Sequence, residues 1–232
     1  MQPVMRLLAV SDIELPFIWS SHLKQRFPDI DLVISCGDLS CEYLAYVSDA
    51  LNAPLYYVFG NHQGPLPGDE EQVRKIPQGI NLDQHCLRDE TGLLLAGVQG
   101  SLRYNYGQYQ YSQLQMWLKV FSLVPTLLSN KIKYGRYLDV FVSHAPAWGL
   151  LDARDWPHRG SKAFRWLIET FAPMLHIFGH VHLYRQDAKC QMNVKHSLAM
   201  NAYGFREIEI IPPRKGYVFP RSGMLRLVRK GF

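Results

Sequence analysis

Five short apolar runs in this chain end alike, and that recurrence limits what it can fold into. Residues 7–10 lead into Asp12 and Glu14, and residues 32–36 into Gly37-Asp38. Residues 54–59 lead into Gly60-Asn61-His62, and residues 137–142 into Ser143-His144. Residues 174–178 lead into Gly179-His180-Val181-His182. Short apolar runs bounded by glycine read as buried strands. Each is followed by a side chain that can bind a cation. In the last run, His180 and His182 share one side if the chain stays extended, because strand side chains repeat every second residue. If the chain turns at Gly179, both sit at a strand tip and face one pocket.

Between these runs the pattern turns helical. Residues 18–27, 41–51, 111–128 and 162–171 are predicted helices, the last with Ser161 as its cap. In the third, Leu114, Trp117, Leu118 and Phe121 recur at helical spacing and are expected to face the core. Residues 93–98 and 205–211 read as further strands, and 100–105 as a loop. A Pro/Gly-rich acidic loop is expected at 64–71. Alternating strands and helices indicate an α/β fold. In open α/β sheets, sites form where strands deliver residues at their carboxyl ends.

Taken singly, each polar residue has an ordinary reading. Asp12 and Glu14 suit a solvated turn, Asp38 suits a helix cap as well as a ligand, and a lone His144 is usually structural. Together, Asp12, Glu14, Asp38, Asn61, His62, His144, His180 and His182 are too many groups for one ion. Two ions sharing a carboxylate fit better. Oxygen and imidazole donors suit manganese, iron, zinc, nickel or cobalt, and the lack of thiolate speaks against a structural zinc knot. Arg103, Arg154, His158 and Arg159 lie on loops and read as solvated charge unless the fold carries them to the pocket.

The 232 residues suit one domain, 1–232, ending in a basic tail over 212–232. Hydrophobic residues make up 47%, enough for a sizeable core. A net charge of +5 hints at anionic small molecules, while nucleic acid is not expected as a partner. Cys36, Cys41, Cys86 and Cys190 form no CxxC pair, so a reducing, cytoplasmic setting is the expectation. The apolar start reads as a first strand, no run approaches the ~20 residues that span a bilayer, and no membrane partner is expected. Oligomeric state is not legible.

The ordered series Asp12-x-Glu14, Gly37-Asp38, Gly60-Asn61-His62, His144, Gly179-His180-x-His182 resembles the calcineurin-like metallophosphoesterase family, over about residues 5 to 185. The resemblance implies two mixed β-sheets packed as a sandwich and flanked by helices. It implies a dinuclear site with Asp12, the residue at 14, Asp38 and His182 on one divalent ion. Asp38 would be shared with a second ion held by Asn61, His144 and His180, and His62 would act near the leaving group. Glu14 stands where the family has histidine. A glutamate still ligates, adds a hard oxygen donor and favours manganese or iron; the alternative is a weakened first site. The implied activity is hydrolysis of a phosphomonoester or phosphodiester on a small phosphorylated substrate, by a hydroxide bridging the metals. The context of Gly60-Asn61-His62, with Phe59 before and Gln63 after, lacks the arginine and glutamate of protein Ser/Thr phosphatases. The competing expectation is a non-catalytic protein-binding scaffold of the same fold.

Overall fold

The computed structural model describes residues 4–62, 76, 79–105, 107–185, 187–212 and 224–231. In chain order the elements are β1 (Met5–Ser11), α1 (Leu23–Arg26), β2 (Leu32–Ser35), α2 (Cys41–Leu51), β3 (Leu55–Tyr57), β4 (Gly79–Asn81) and β5 (Cys86–Arg88). There follow β6 (Leu94–Val98), β7 (Ser101–Leu102), β8 (Gln110–Tyr111), α3 (Gln113–Tyr134), β9 (Val140–Ser143) and α4 (Lys162–Phe171). The last are β10 (Leu175–Phe178), β11 (Gln191–Val194), β12 (Ser197–Asn201), β13 (Gly204–Ile210) and β14 (Leu225–Gly231).

Two mixed six-stranded sheets form, in the orders β14-β13-β1-β2-β3-β4 and β11-β12-β10-β9-β6-β5. In the first, β1 through β4 run parallel, β13 returns antiparallel to β1, and β14 is antiparallel to β13. In the second, β12, β10, β9 and β6 are parallel between antiparallel edges. The two-residue side-chain period distributes three cores. Leu7 and Ala9 of β1 meet Val140, Val142, Leu175 and Ile177 between the sheets. Leu8 and Val10 face outward onto α1 and α2, and Phe141 and Phe178 onto α3 and α4. The expected sandwich flanked by helices is therefore the fold.

Several local expectations are corrected. The helix expected at 18–27 shrinks to α1; residues 15–22 form turns that bury Ile18 while Ser20, Ser21 and His22, weak helix formers, sit between. Ser101 and Leu102, expected in a loop, pair with β8. Ser161 occupies the N-cap position of α4, but its hydroxyl makes no cap bond. In α3 the inward residues are Met116, Val120, Leu123 and Leu127, whereas Leu114, Leu118 and Phe121 are exposed. The helix has two apolar faces, and periodicity alone does not choose between them. The ion pair from Lys119 Nζ to Asp83, 2.7 Å, accompanies the face that is buried. Within the basic tail, Leu225–Gly231 is an edge strand, and the loop expected at 64–71 lies outside the described residues. No described helix is long and apolar enough to cross a membrane.

One buried group ties this fold to pH. His176 stacks between Phe141 and Phe178 at ring distances of 5.1 and 5.0 Å. The Ser143 hydroxyl donates to the Ala145 carbonyl, so His176 Nε2–H donates to Ser143 Oγ at 2.9 Å and Nδ1 has no partner. Burial lowers its pKa to about 3. The native imidazole is then neutral where the unfolded one takes a proton, so stability is full above about pH 6.5 and falls as pH drops toward 3, by about 1.4 kcal/mol per unit. Urea unfolding between pH 7 and 4 is expected to show this slope, with His180 adding to it through the same cause. His176→Phe should remove one proton's share; a slope unchanged by the substitution would contradict the assignment.

Candidate metal centre

The parallel strands of both sheets stop at one end of the sandwich, and the polar residues begin there. β1 ends before Asp12, β2 before Asp38, β9 before His144 and β10 before His180. Short backbone bonds lock these ends together: Asp12 N–H to Gly37 O at 3.1 Å, and Gly179 N–H to His144 O at 3.0 Å. The chain turns sharply at each tip. Of the nine described non-glycine residues with positive φ, three are Asp12, Asp38 and His180, at 66°, 57° and 66°. Such backbone costs of order 1 kcal/mol or more per residue and persists only where surroundings over-determine it. Two glycines show how tight the approach is. A Cβ on Gly60 would overlap Asp38 Oδ1, and one on Gly179 would overlap Ser11 Oγ and crowd Asp12.

Donor atoms of Asp12, Asp38 and His144 lie within 4.8 Å of one another. His144 is fully buried, and its Nδ1–H donates to the Cys36 carbonyl at 2.7 Å. That bond commits the proton of the neutral ring to Nδ1 and leaves Nε2 as a lone pair. Nε2 then faces Asn61 Oδ1 at 2.9 Å and Asp38 Oδ2 at 3.2 Å. The amide orientation follows from Asn61 Nδ2, which donates to the Tyr104 hydroxyl at 2.8 Å. Three acceptors therefore converge, and only a cation reconciles them, either a proton on Nε2 or a metal.

The titration behaviour expresses the same demand. Burial opposes charge on His144, but Asp38 beside it, their hydrogen bond and Asp12 raise its pKa to about 9. Asp38, also penalised by burial, is held well below the carboxylate range by His144 and by the His62 backbone N–H. Asp12 is pushed up, by burial first and then despite the attraction of His144, with Asp38 adding repulsion. Mixed carboxylate, amide and imidazole donors without thiolate fit a divalent first-row ion.

The remaining sequence-predicted residues surround this cluster. His180 donates its backbone N–H to both Asp12 oxygens, at 2.9 and 3.1 Å, and its ring lies edge-on to His144 at 4.8 Å. Its Nε2–H donates to the Pro157 carbonyl at 2.8 Å, leaving Nδ1 bare, and burial, with help from His144, lowers its pKa to about 3. His182 Nε2 stands 3.8 Å from Asp12 Oδ1. His62 is exposed at the rim; its N–H binds Asp38 Oδ1 at 2.9 Å and its Nε2 lies 3.3 Å from the Tyr104 hydroxyl. Glu14 is turned toward α2, where its Oε1 accepts from the N–H of Ser40, the N-cap residue, at 2.8 Å.

Some residues at the site escaped the sequence reading. Tyr104 joins Asn61 to His62 from the segment after β7, and no motif marks it. The Cys36 and Pro157 carbonyls orient the two imidazoles, and a backbone group leaves no side-chain signal. Among the loop charges, His158 does reach the site, 5.1 Å from the His180 ring. Arg103 turns instead to Gln115 on α3, and Arg159 covers the Trp156 ring.

Comparison with known proteins bears on this arrangement. The solved structure of TT1561 from Thermus thermophilus is similar at 16% identity, covering 88% of this chain and 94% of that one, with a TM-score of 0.57. The calcineurin-like phosphoesterase YfkN from Bacillus subtilis is similar at 15% identity, covering 98% and 90%, with a TM-score of 0.54. Identities this low speak to the fold alone. No curated protein matches in sequence. The model of the calcineurin-like phosphoesterase family matches residues 5–184, which include all eight candidate site residues. With that match spanning most of its length, this chain belongs to the calcineurin-like phosphoesterases.

Proposed function

We propose that the chain hydrolyses a phosphomonoester or phosphodiester of a small phosphorylated molecule, using two divalent cations held at the strand tips. The observation that carries the reading is the convergence of His144 Nε2, Asn61 Oδ1 and Asp38 Oδ2, which is stable only around positive charge. In this reading Asp38 is shared. Asp12 and His182 would hold one ion, and Asn61, His144 and His180 the other. Glu14, whose Oε1 is engaged at α2, would have Oε2 left for the first ion. The oxygen-rich donor set favours manganese, with iron, zinc, nickel or cobalt as alternatives. When bound, such a pair supplies charge against the phosphoryl oxygens and acidifies water near neutral pH.

The chain's own residues do the rest. The Cys36 and Pro157 carbonyls fix the ring orientations of His144 and His180, so the donor atoms need not reorganise. Asp38 holds the His62 backbone, and Tyr104 spans His62 and Asn61, so the rim imidazole is tied to the site floor. His62 is exposed and meets substrate first, where it delivers a proton to the leaving oxygen.

Protein loaded with manganese is expected to hydrolyse p-nitrophenyl phosphate or bis-p-nitrophenyl phosphate, and a chelator should abolish turnover. Asp38→Asn should remove activity with loss of bound metal, and His62→Ala should lower kcat by about 10²–10⁴-fold with metal retained. Turnover unchanged in Asp38→Asn would mean another site is responsible. No turnover and no metal retained would favour a scaffold.

Glu14 has its own test by metal analysis. Glu14→Gln is expected to weaken one of two bound ions, and Glu14→His to shift the preference from manganese toward zinc or nickel. Stoichiometry and preference that do not move in either variant would leave Glu14 solely as a helix cap.

A further inference from the structure

Helix α3 is fixed in rotation by its inner face. Met116, Val120, Leu123 and Leu127 pack on the second sheet and α4, and Lys119 binds Asp83. The opposite face then carries Leu114, Leu118, Phe121, Pro125, Leu128 and Ile132, all exposed. Leu114 is 69% exposed, Leu118 61% and Ile132 87%. The Trp117 and Trp166 rings partly cover Phe121, while Leu114, Leu118, Leu128 and Ile132 are half or more exposed. Scattered apolar residues on a surface are ordinary, but an unbroken row about 27 Å long is not. Successive steps of four and three residues are those of a seam that packs against another helix.

We infer that this row is the contact face of a homodimer, in which α3 packs antiparallel against α3 of a second copy about a two-fold axis. The spacing is self-complementary in that sense. Leu114 would oppose Ile132 of the second copy, Leu118 would oppose Leu128, and Phe121 would oppose Pro125, each pair occurring twice as an isologous contact requires. Every seam position thereby gains an apolar mate. Charge selects the direction. The first turn of α3 has no acidic residue, and its last turn carries Lys131 and Lys133. Parallel pairing would bring four lysines together, while antiparallel pairing separates the two sets by most of the helix, well beyond the ~8 Å screening length. A lipid surface also accepts an apolar helix face, but it favours basic residues distributed along the flanks. Here the flanks of the seam are Gln115, Ser122, Ser129 and Lys133 on one side and Trp117, Val124 and Lys131 on the other, so both flanking lysines sit together in the last turn rather than along the helix.

The area sets the strength. A strip about 27 Å long and 10–12 Å wide gives roughly 300 Å² per copy. Trp117 and Trp166, which cluster with Phe121 at ring distances of 5.3 to 5.5 Å, widen it. The two strips together give roughly 600 Å², below the ~1,000 Å² of a stable specific interface, so the pairing is a weak one that fills only at high protein concentration.

Sedimentation equilibrium from roughly 1 to 500 μM tests this. The native chain is expected to pass from monomer to dimer across that range. Leu118→Glu and Leu128→Lys, both at exposed positions, should each weaken association by about tenfold or more with unchanged circular dichroism. Mixing the two variants should restore a dimer, since antiparallel pairing sets the introduced glutamate against the introduced lysine and leaves the native leucines opposed. A native chain that stays monomeric throughout, a dimer that survives Leu118→Glu, or a mixture that does not re-associate would each overturn the inference. So would a monomer that instead floats with phosphatidylcholine–phosphatidylserine vesicles.

Discussion

His144 Nε2, Asn61 Oδ1 and Asp38 Oδ2, aimed at one another and reconciled only by positive charge between them, are the arrangement around which this molecule is built. In water such groups would turn apart. Here each is held by a bond on its far side: the Cys36 carbonyl behind His144, Tyr104 behind Asn61, and the His62 backbone against Asp38. The low-polarity surroundings that make the arrangement costly also make it strong once positive charge is present. A site of this kind is preorganised, because its groups need not move to receive a cation.

Holding it requires two sheets rather than one. Asp12, Asp38 and Asn61 come from strand ends of the first sheet, His144 and His180 from the second. The apolar layer between the sheets fixes their separation, and the left-handed turns at Asp12, Asp38 and His180 aim the side chains across it. Glycines at 60 and 179 leave room for acid oxygens where any side chain would collide. Local strain at the tips is therefore borne by packing throughout the sandwich, which is where strain of this size can be absorbed.

The outward face of α3 answers to a different constraint. Its inner face contributes to the core over the second sheet, while most of its outer face lies in solvent and Phe121 meets Trp166 of α4. The strand-tip site and the outer face of α3 can then vary independently, since one depends on the strand ends and the other on a helix surface.

The motifs made much of this legible. Apolar runs ending in Gly-Asp, Gly-Asn-His and Gly-His-x-His mark strands and the candidate donors at their tips, because a strand buried on both faces is built mostly from apolar residues. Helix α2 was expected over 41–51 with Asp38 as a possible cap; Ser40 caps it instead, and Asp38 Oδ1 accepts from the His62 backbone. The sequence alone could not choose the buried face of α3, because both faces satisfy the helical period and only a neighbouring sheet can decide. Nor could it show Tyr104, the orienting carbonyls of Cys36 and Pro157, or the turn of Glu14 toward Ser40. The residue types were written locally, in spacings of one to four positions. Which atom of each faces the next was decided by contacts between segments as far apart as Asp12 and His180, and those exist only once the two sheets have closed on each other.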